Sequence, residues 1–452
     1  MKKRALVICM VATVLCCQVD AQYISVHAYD TLLPSAGHTI VRSWGSDRAV
    51  SYFVTTGYQP MMEVVDQTTG ITRWVNLPDE VYIKDMCVDE RTNILYFCGS
   101  TDYNAYEYGA LYQGDGIIGY IDLSLFYSSN ISVRYISFHN PEYTLIKSVN
   151  KLVEYDDGGR PHIVAIGEDR YRTNGYIFSD YFCIDCFDIT GPSPSVDVAP
   201  FGTSERYNDI LLTSRFVVFM GYDANPSVQS ICYRKTMRNN IDDPIFDYKN
   251  LFYNGDDAYS LLHSTEMFDD TVATSYYSVN GSGFFVTRIR VIDILNDMNT
   301  NSQEFPLADK TEPDDITHMP VDGSLVLMEK FTTQNGSHNS NFVFIDPYAQ
   351  SIYNTTIEYK KNEYFQSLTT HDGQYYLAGA GATWFLRDKT QTPTGIPDEG
   401  CPSVEAYKIA VINNLQPYHV SSPMEFSPYG YHFGYGFPDT YQSALSIYCT
   451  NQ

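Results

Sequence analysis

The 452-residue chain has almost no helical periodicity, and this absence narrows its fold more than any motif does. Only residues 291–298 could be read as helical, and they fit a strand better. No H-E-x-x-H, G-x-S-x-G, phosphate-binding loop or dinucleotide fingerprint occurs, which removes the readings those motifs would license. Cations are scarce, with 29 Lys and Arg against 54 Asp and Glu and a formal charge of −25. A nucleic-acid binder needs clustered cations to release counterions from phosphates, so nucleic acid is not an expected partner. After the first 21 residues no apolar run is long enough for a membrane helix, and no transmembrane segment is expected. No calcium loop of the D-x-D-x-D-G kind exists, and no second C-x-x-C completes a zinc tetrahedron; no metal and no cofactor are expected.

The N-terminus carries Met1-Lys2-Lys3-Arg4, an apolar stretch from Ala5 to Cys17, and Val19-Asp20-Ala21 with small residues at the cleavage position. Residues 1–21 read as a secretory signal peptide, so the mature chain is expected in the periplasm, at the cell surface or outside the cell. Lipidation at Cys16 or Cys17 is a competing reading, but Leu15 before Cys16 is a poor match to a lipobox. Export permits disulfides. Outside the leader lie Cys87, Cys98, Cys183, Cys186, Cys232, Cys401 and Cys449, an odd number that leaves at least one thiol without an internal partner.

Repeats organise the rest. An apolar stretch ending in an apolar-Asp pair recurs as MMEVVDQTTG (61–70), GIIGYIDLS (116–124), FCIDCFDITG (182–191), TRIRVIDIL (287–295) and NFVFIDPY (341–348). YKIAVINN (407–414) is a weaker copy, and SICYRKTM (230–237) lacks the Asp. Hairpin patterns precede these stretches, as in IKDMCVDERTNILYFCGS (83–100) and FQSLTTHDGQYYLAGAG (365–381), with Asp, Gly or Asn in the turn. Units start near residues 39, 83, 146, 207, 259, 316 and 365. Four strands per unit, repeated radially, predict an all-β, seven-bladed β-propeller over residues 22–415.

The segment 23–41 resembles 135–149, a fourth strand leading into a first one. Tyr23–Tyr29 is therefore expected to complete the last blade, with 416–422 as the alternative. Residues 416–452, dense in Tyr, Pro and Gly, form a non-repeat tail expected to pack on the propeller, with Cys449 as a tether.

Candidate site residues come from the places where the repeat breaks. His263, His318 and His371 fall on or just after first strands, which line a propeller's channel; imidazoles converging there would suit catalysis by proton transfer. A satisfied structural histidine is the plainer reading of each. Tyr103, Tyr106, Tyr108, Tyr171, Tyr176 and Tyr181 belong to two aromatic clusters expected in long loops between second and third strands, where a rigid scaffold presents ligand-binding groups. Cys87 with Cys98, and Cys401 with Cys449, are candidate disulfides. Cys183-Ile184-Asp185-Cys186 sits in a strand rather than at a helix start, against a redox role, and pairing with Cys232 is the alternative. The recurrent Asp66, Asp122, Asp188, Asp293 and Asp346 read as turn residues, because a site would break the repeat rather than follow it.

In this repeat and in the leader ending Asp20-Ala21-Gln22 the chain resembles bacterial secreted β-propellers. That group includes polysaccharide lyases, glycosidases, sugar-binding surface proteins and adhesion scaffolds. The resemblance implies a glycan or surface protein as partner. It implies either binding through aromatic loops or carbohydrate chemistry at the channel, and the sequence contains no complete catalytic set to decide between them.

Overall fold

The computed structural model describes residues 23–29, most of 39–388, and the strand segments 408–413, 425–427, 430–432 and 444–447. Within 39–388 the breaks are 55–57, 67–68, 70, 103–113, 127–131, 139–145, 157–160, 174–175, 202–204, 224–229, 239–246, 252–257, 280–284, 297–303, 310, 319, 321–322, 333–337, 347–350, 358–364, 372–373 and 380–381. The fold is an all-β β-propeller without an α-helix among the described residues. No described helix is long and apolar enough to cross a membrane.

Six sheets are four-stranded antiparallel meanders in chain order, here A (40–76), B (82–137), C (148–200), D (205–251), E (258–309) and F (311–357). A further sheet, G, begins with Phe365–His371, Gln374–Gly379 and Ala382–Asp388. Tyr23–Tyr29 pairs antiparallel with Ala382–Asp388 as the fourth strand of G, so the two ends of the chain meet in one sheet. Lys408–Asn413 and Ala444–Ile447 add a fifth and a sixth strand. The weak copy at 407–414 is thus not a third strand, because ATWFLRD fills that place, and 416–422 does not supply the fourth. A four-stranded pattern could not anticipate strands added beyond the fourth.

The first strands are Ile40–Ser43, Tyr82–Asp89, Ser148–Asp156, Glu205–Leu212, Ala258–Glu266, Thr311–His318 and Phe365–His371. They are neighbours in that order, and the last touches the first, which closes the circle around an axis. Alternation along the strands supplies the packing between sheets. On Ile94–Ser100, Leu95 and Phe97 join the apolar cluster shared with sheet A, while Tyr96 and Cys98 join the one shared with sheet C. Further clusters fill the spaces between C and D, D and E, and E and F.

One irregularity recurs. The pairing of first with second strand slips by one residue after Ile83, Val149, Tyr207, Pro313 and Phe365, and by two between Tyr259 and His263. These β-bulges bend the first strand and re-aim its side chains. In sheets B and D a glycine on the second strand makes the bend possible. A Cβ on Gly99 would lie 1.8 Å from the Tyr82 carbonyl oxygen, and one on Gly221 would lie 1.9 Å from that of Arg206.

The turn aspartates do the work expected of them. Asp66 accepts from the Thr69 N–H, Asp122 from the Ser124 N–H and hydroxyl, and Asp293 from the Asn296 N–H and side-chain amide. Asp188 adopts φ +56° and its carbonyl accepts from Gly191.

Candidate functional site

The residue that follows each bulge defines a ring around the axis. In chain order these are Asp85, Lys151, Asp209, His263, Asp315 and Ser367. Several reach across to the next sheet in one manner. Asp85 Oδ2 accepts from the Leu152 N–H at 3.2 Å, Asp209 Oδ2 from Ser264 at 2.7 Å, Asp315 Oδ2 from Leu368 at 2.9 Å, and the Ser367 hydroxyl from Val41 at 3.1 Å. The three aspartates each satisfy a backbone donor just past the bulge of the neighbouring first strand, and Ser367 does the same for Val41 on a strand whose register is unbroken.

Arg42, two residues beyond the N-terminus of its strand, enters the same ring from sheet A. Its guanidinium donates to Asp85 Oδ1 at 2.5 Å and to the carbonyls of Met86 and Val41. Lys151 lies beside Asp209, with Nζ 3.8 Å from Oδ1, beyond hydrogen-bond distance. Arg42, Asp85, Lys151, Asp209 and Asp315 come from five different sheets, yet Lys151 interacts electrostatically with all four of the others. Burial, opposed by Lys151, pushes the Asp209 carboxyl up to about 6, and burial also raises Asp315. The carboxylates of Asp85 and Asp209 are nearly closed off, whereas a quarter of the Arg42 side chain and 30% of the Lys151 side chain remain accessible. The cations are thus the part of this cluster that a ligand on the axis could reach.

Sequence reasoning missed this ring, although the signal was present. Ile83-Lys84-Asp85-Met86, Val149-Asn150-Lys151-Leu152, Tyr207-Asn208-Asp209-Ile210, Pro313-Asp314-Asp315-Ile316 and Phe365-Gln366-Ser367-Leu368 all place two polar residues inside an otherwise apolar strand start. Two adjacent polar residues violate strand alternation, and a bulge is the structural answer to that violation. Asp314-Asp315, a pair of the kind that turn chemistry favours, belongs instead to the strand Thr311–His318.

The three histidines all lie on first strands but at different heights. His263 occupies the ring position, while His318 and His371 end their strands. His318 meets Phe268 edge to face, with ring centroids 4.6 Å apart, and His371 Nδ1 lies 3.4 Å from Glu90. The separate placements follow from their different offsets within the unit.

The tyrosine cluster of sheet C is not a loop. Residues 168–182 belong to Pro161–Thr173 and Tyr176–Phe187, which pair continuously from His162↔Phe187 to Thr173↔Tyr176. First and fourth strands flank this hairpin only as far as Glu168 and Phe182, so its outer part projects as a two-stranded ribbon. Tyr171 on the ribbon is exposed. Tyr181 is buried in the core between C and D, its hydroxyl donating to Glu168 Oε1 at 3.4 Å; alternation turned it inward, so it is no ligand platform. For Tyr176 the strand alone is described. Tyr103, Tyr106 and Tyr108 lie outside the described residues, as do the leader, Cys401 and Cys449.

No disulfide joins the described cysteines Cys87, Cys98, Cys183, Cys186 and Cys232 to one another. Register explains the failure of Cys87 to pair with Cys98. Cys87 stands opposite Tyr96 and Cys98 opposite Asp85, so the two are diagonal neighbours rather than partners. Cys183 and Cys186 turn to opposite faces of their strand, one into the core shared with D and the other into the core shared with B. Burial raises the pKa of all four of these thiols, which suits inert packing groups. Among the described residues no cluster of His, Cys, Asp and Glu is arranged to hold a metal ion.

No protein-family model matches the chain, and no curated protein matches it in sequence. Solved structures do. A mutant of the NanB sialidase of Streptococcus pneumoniae aligns at 7% identity and TM-score 0.41 over 82% of this chain and 95% of that one. The WD40 domain of SCAP from fission yeast aligns at 8% and 0.41 over 80% and 97%. A prolyl endopeptidase aligns at 11% and 0.43 over 83% and 54%. The likeness is one of β-propeller fold and names no family.

Proposed function

We propose that the chain is an exported, seven-bladed β-propeller, sheet G being the seventh blade, that binds a glycan or a surface protein. One observation carries the preference for binding over catalysis. The axial carboxylates Asp85, Asp209 and Asp315 each spend an oxygen on a backbone N–H of the next sheet. Groups so committed serve as clasps, and a general acid or base needs an oxygen directed at substrate. The projecting ribbon with exposed Tyr171 supports a contact surface outside the ring, since a tyrosine offers large apolar area at small entropic cost. The test is binding of the purified chain to a glycan array and to surface-protein extracts, repeated with Tyr171→Ala. Silence of the wild-type chain in both sinks the reading.

A carbohydrate-active enzyme with its site at the channel is the second reading. The accessible Lys151 beside Asp209, whose carboxyl is held near 6, favours it. Release of reducing ends or unsaturated products from a polysaccharide panel, lost in Asp209→Asn, would establish it in place of the first.

A further inference from the structure

We infer that Tyr58 is the platform of a shallow surface subsite for a neutral pyranose of an extended polysaccharide, with the Asp79 carboxylate, oriented by Gln59, accepting from its hydroxyls. This rests on the glycan-binding reading and gives it a location and a ligand class. Three facts point there.

The first is the backbone of Tyr58. It stands just before the third strand of sheet A at φ +62°. The other described non-glycine residues with positive φ are Asn93, Asp188 and Asp269, whose short polar side chains tolerate the left-handed region. A bulky aromatic residue there is strained, and such strain clusters where ligands are held. Burial does not offset it, because Tyr58 is 54% exposed, more than any other large apolar residue described. What holds the backbone is the next sheet: the Tyr82 hydroxyl donates to the Tyr58 carbonyl at 3.2 Å.

The second is an exposed acceptor on equally fixed backbone. Gln59 Nε2 donates to Asp79 Oδ1 at 2.6 Å. Asp79 and Glu80 are the central residues of a turn closed by the Val81 N–H on the Pro78 carbonyl at 2.9 Å, and both are exposed. The Leu77 N–H ties this turn to the Pro60 carbonyl, and the Tyr135 hydroxyl donates to Glu80 Oε1 at 2.6 Å. A carboxylate offers about four lone-pair sites, so Asp79 accepts from Gln59 and still has room for a sugar hydroxyl.

The third is the distribution of exposed apolar side chains, which selects the ligand. Tyr58 and Tyr171 lie at the end of their sheets where the second strand passes to the third, whereas Leu125, Met237, Phe268 and Leu295 lie at the opposite end. Among these residues tyrosine belongs to one end only. Its flat ring and polar tip suit a pyranose, which has a C–H face and a rim of hydroxyls. Asp79 and Glu80 would repel a uronate, which leaves a neutral sugar. A platform open on one side takes an internal residue of a polysaccharide as readily as a terminal one.

Titration of the purified chain with cellohexaose, xylohexaose and hexagalacturonate, followed by calorimetry and NMR, tests this. A neutral hexasaccharide is expected to bind in preference to hexagalacturonate and to move the amide resonances of Gln59, Asp79 and Glu80, a readout that needs no variant to fold. Affinity is expected to fall about tenfold in Tyr58→Ala and Tyr58→Gly and to stay within about twofold in Tyr58→Phe. Tyr58→Gly relieves the left-handed strain and should leave the melting temperature unchanged or raised. Binding of neither neutral hexasaccharide, preference for hexagalacturonate, binding unaltered by Tyr58→Ala, unmoved amides, or a melting temperature lowered in Tyr58→Gly overturns the subsite. If a glycan or protein is still retained and lost in Tyr171→Ala, only the Tyr58 subsite falls; if the wild-type chain binds nothing on the array or in the extracts, both readings fall.

Discussion

Aspartate recurs in this chain in two places, at the ring around the axis and at the end of third strands, and the two sets differ in reach. Asp66, Asp122 and Asp293 accept from residues two or three positions ahead, each closing its own turn. Asp85, Asp209 and Asp315 accept from residues 67, 55 and 53 positions away and so fasten one sheet to the next. The same side chain is local punctuation at the periphery and tertiary structure at the axis. Only the bulge, which frees an N–H on the neighbouring strand, separates the two roles.

The contrast breaks most severely where the bulge itself is blocked. Gly221→Val would drive a side chain into the Arg206 backbone carbonyl, and is expected to cost about 3 kcal/mol or more, read as a lowered urea midpoint. A valine tolerated there without loss would mean that the close approach is not required.

Next in size is the clasp. Asp209→Ala leaves the Ser264 N–H without its acceptor and Lys151 without its nearest counter-charge, for an expected loss of about 2 to 3 kcal/mol. Asp293→Ala should lose about 1 kcal/mol, because water can replace a turn bond at the surface. Equal losses at both positions, by chemical denaturation, would erase the distinction between axis and periphery.

These positions also show what the sequence made legible. Hairpin starts near 39, 83, 146, 207, 259, 316 and 365 fall on or beside the first strands, because a turn residue between β-rich stretches is local chemistry. The turn aspartates were readable for the same reason. What escaped was decided by register. Cys87 and Cys98 sit two positions out of line; Tyr181 points inward by alternation; sheet C's tyrosines extend a hairpin where a loop was expected. The axial ring escaped because its members lie 50 or more residues apart, although each left an adjacent polar pair in its own strand.

A smaller effect separates the two sets by pH. Asp209, raised to about 6, and Asp315, also raised, hold protons more tightly in the folded chain than in the unfolded one. Partial burial, with Asp89 adding to it and Arg91 opposing it, pushes Glu154 up to about 7. For an acid whose folded value lies above the unfolded one, the folded state binds more protons between the two values, so stability falls as pH rises through that window. Stability should therefore decline from about pH 4.5 to pH 7.5, by an amount on the order of 1 to 3 kcal/mol from Asp209 and Glu154 together. Asp209→Asn should flatten part of that slope. A wild-type chain whose urea midpoint is the same at both pH values would remove proton binding by the axial carboxylates from the account of stability and leave their capping of the N–H beyond each bulge.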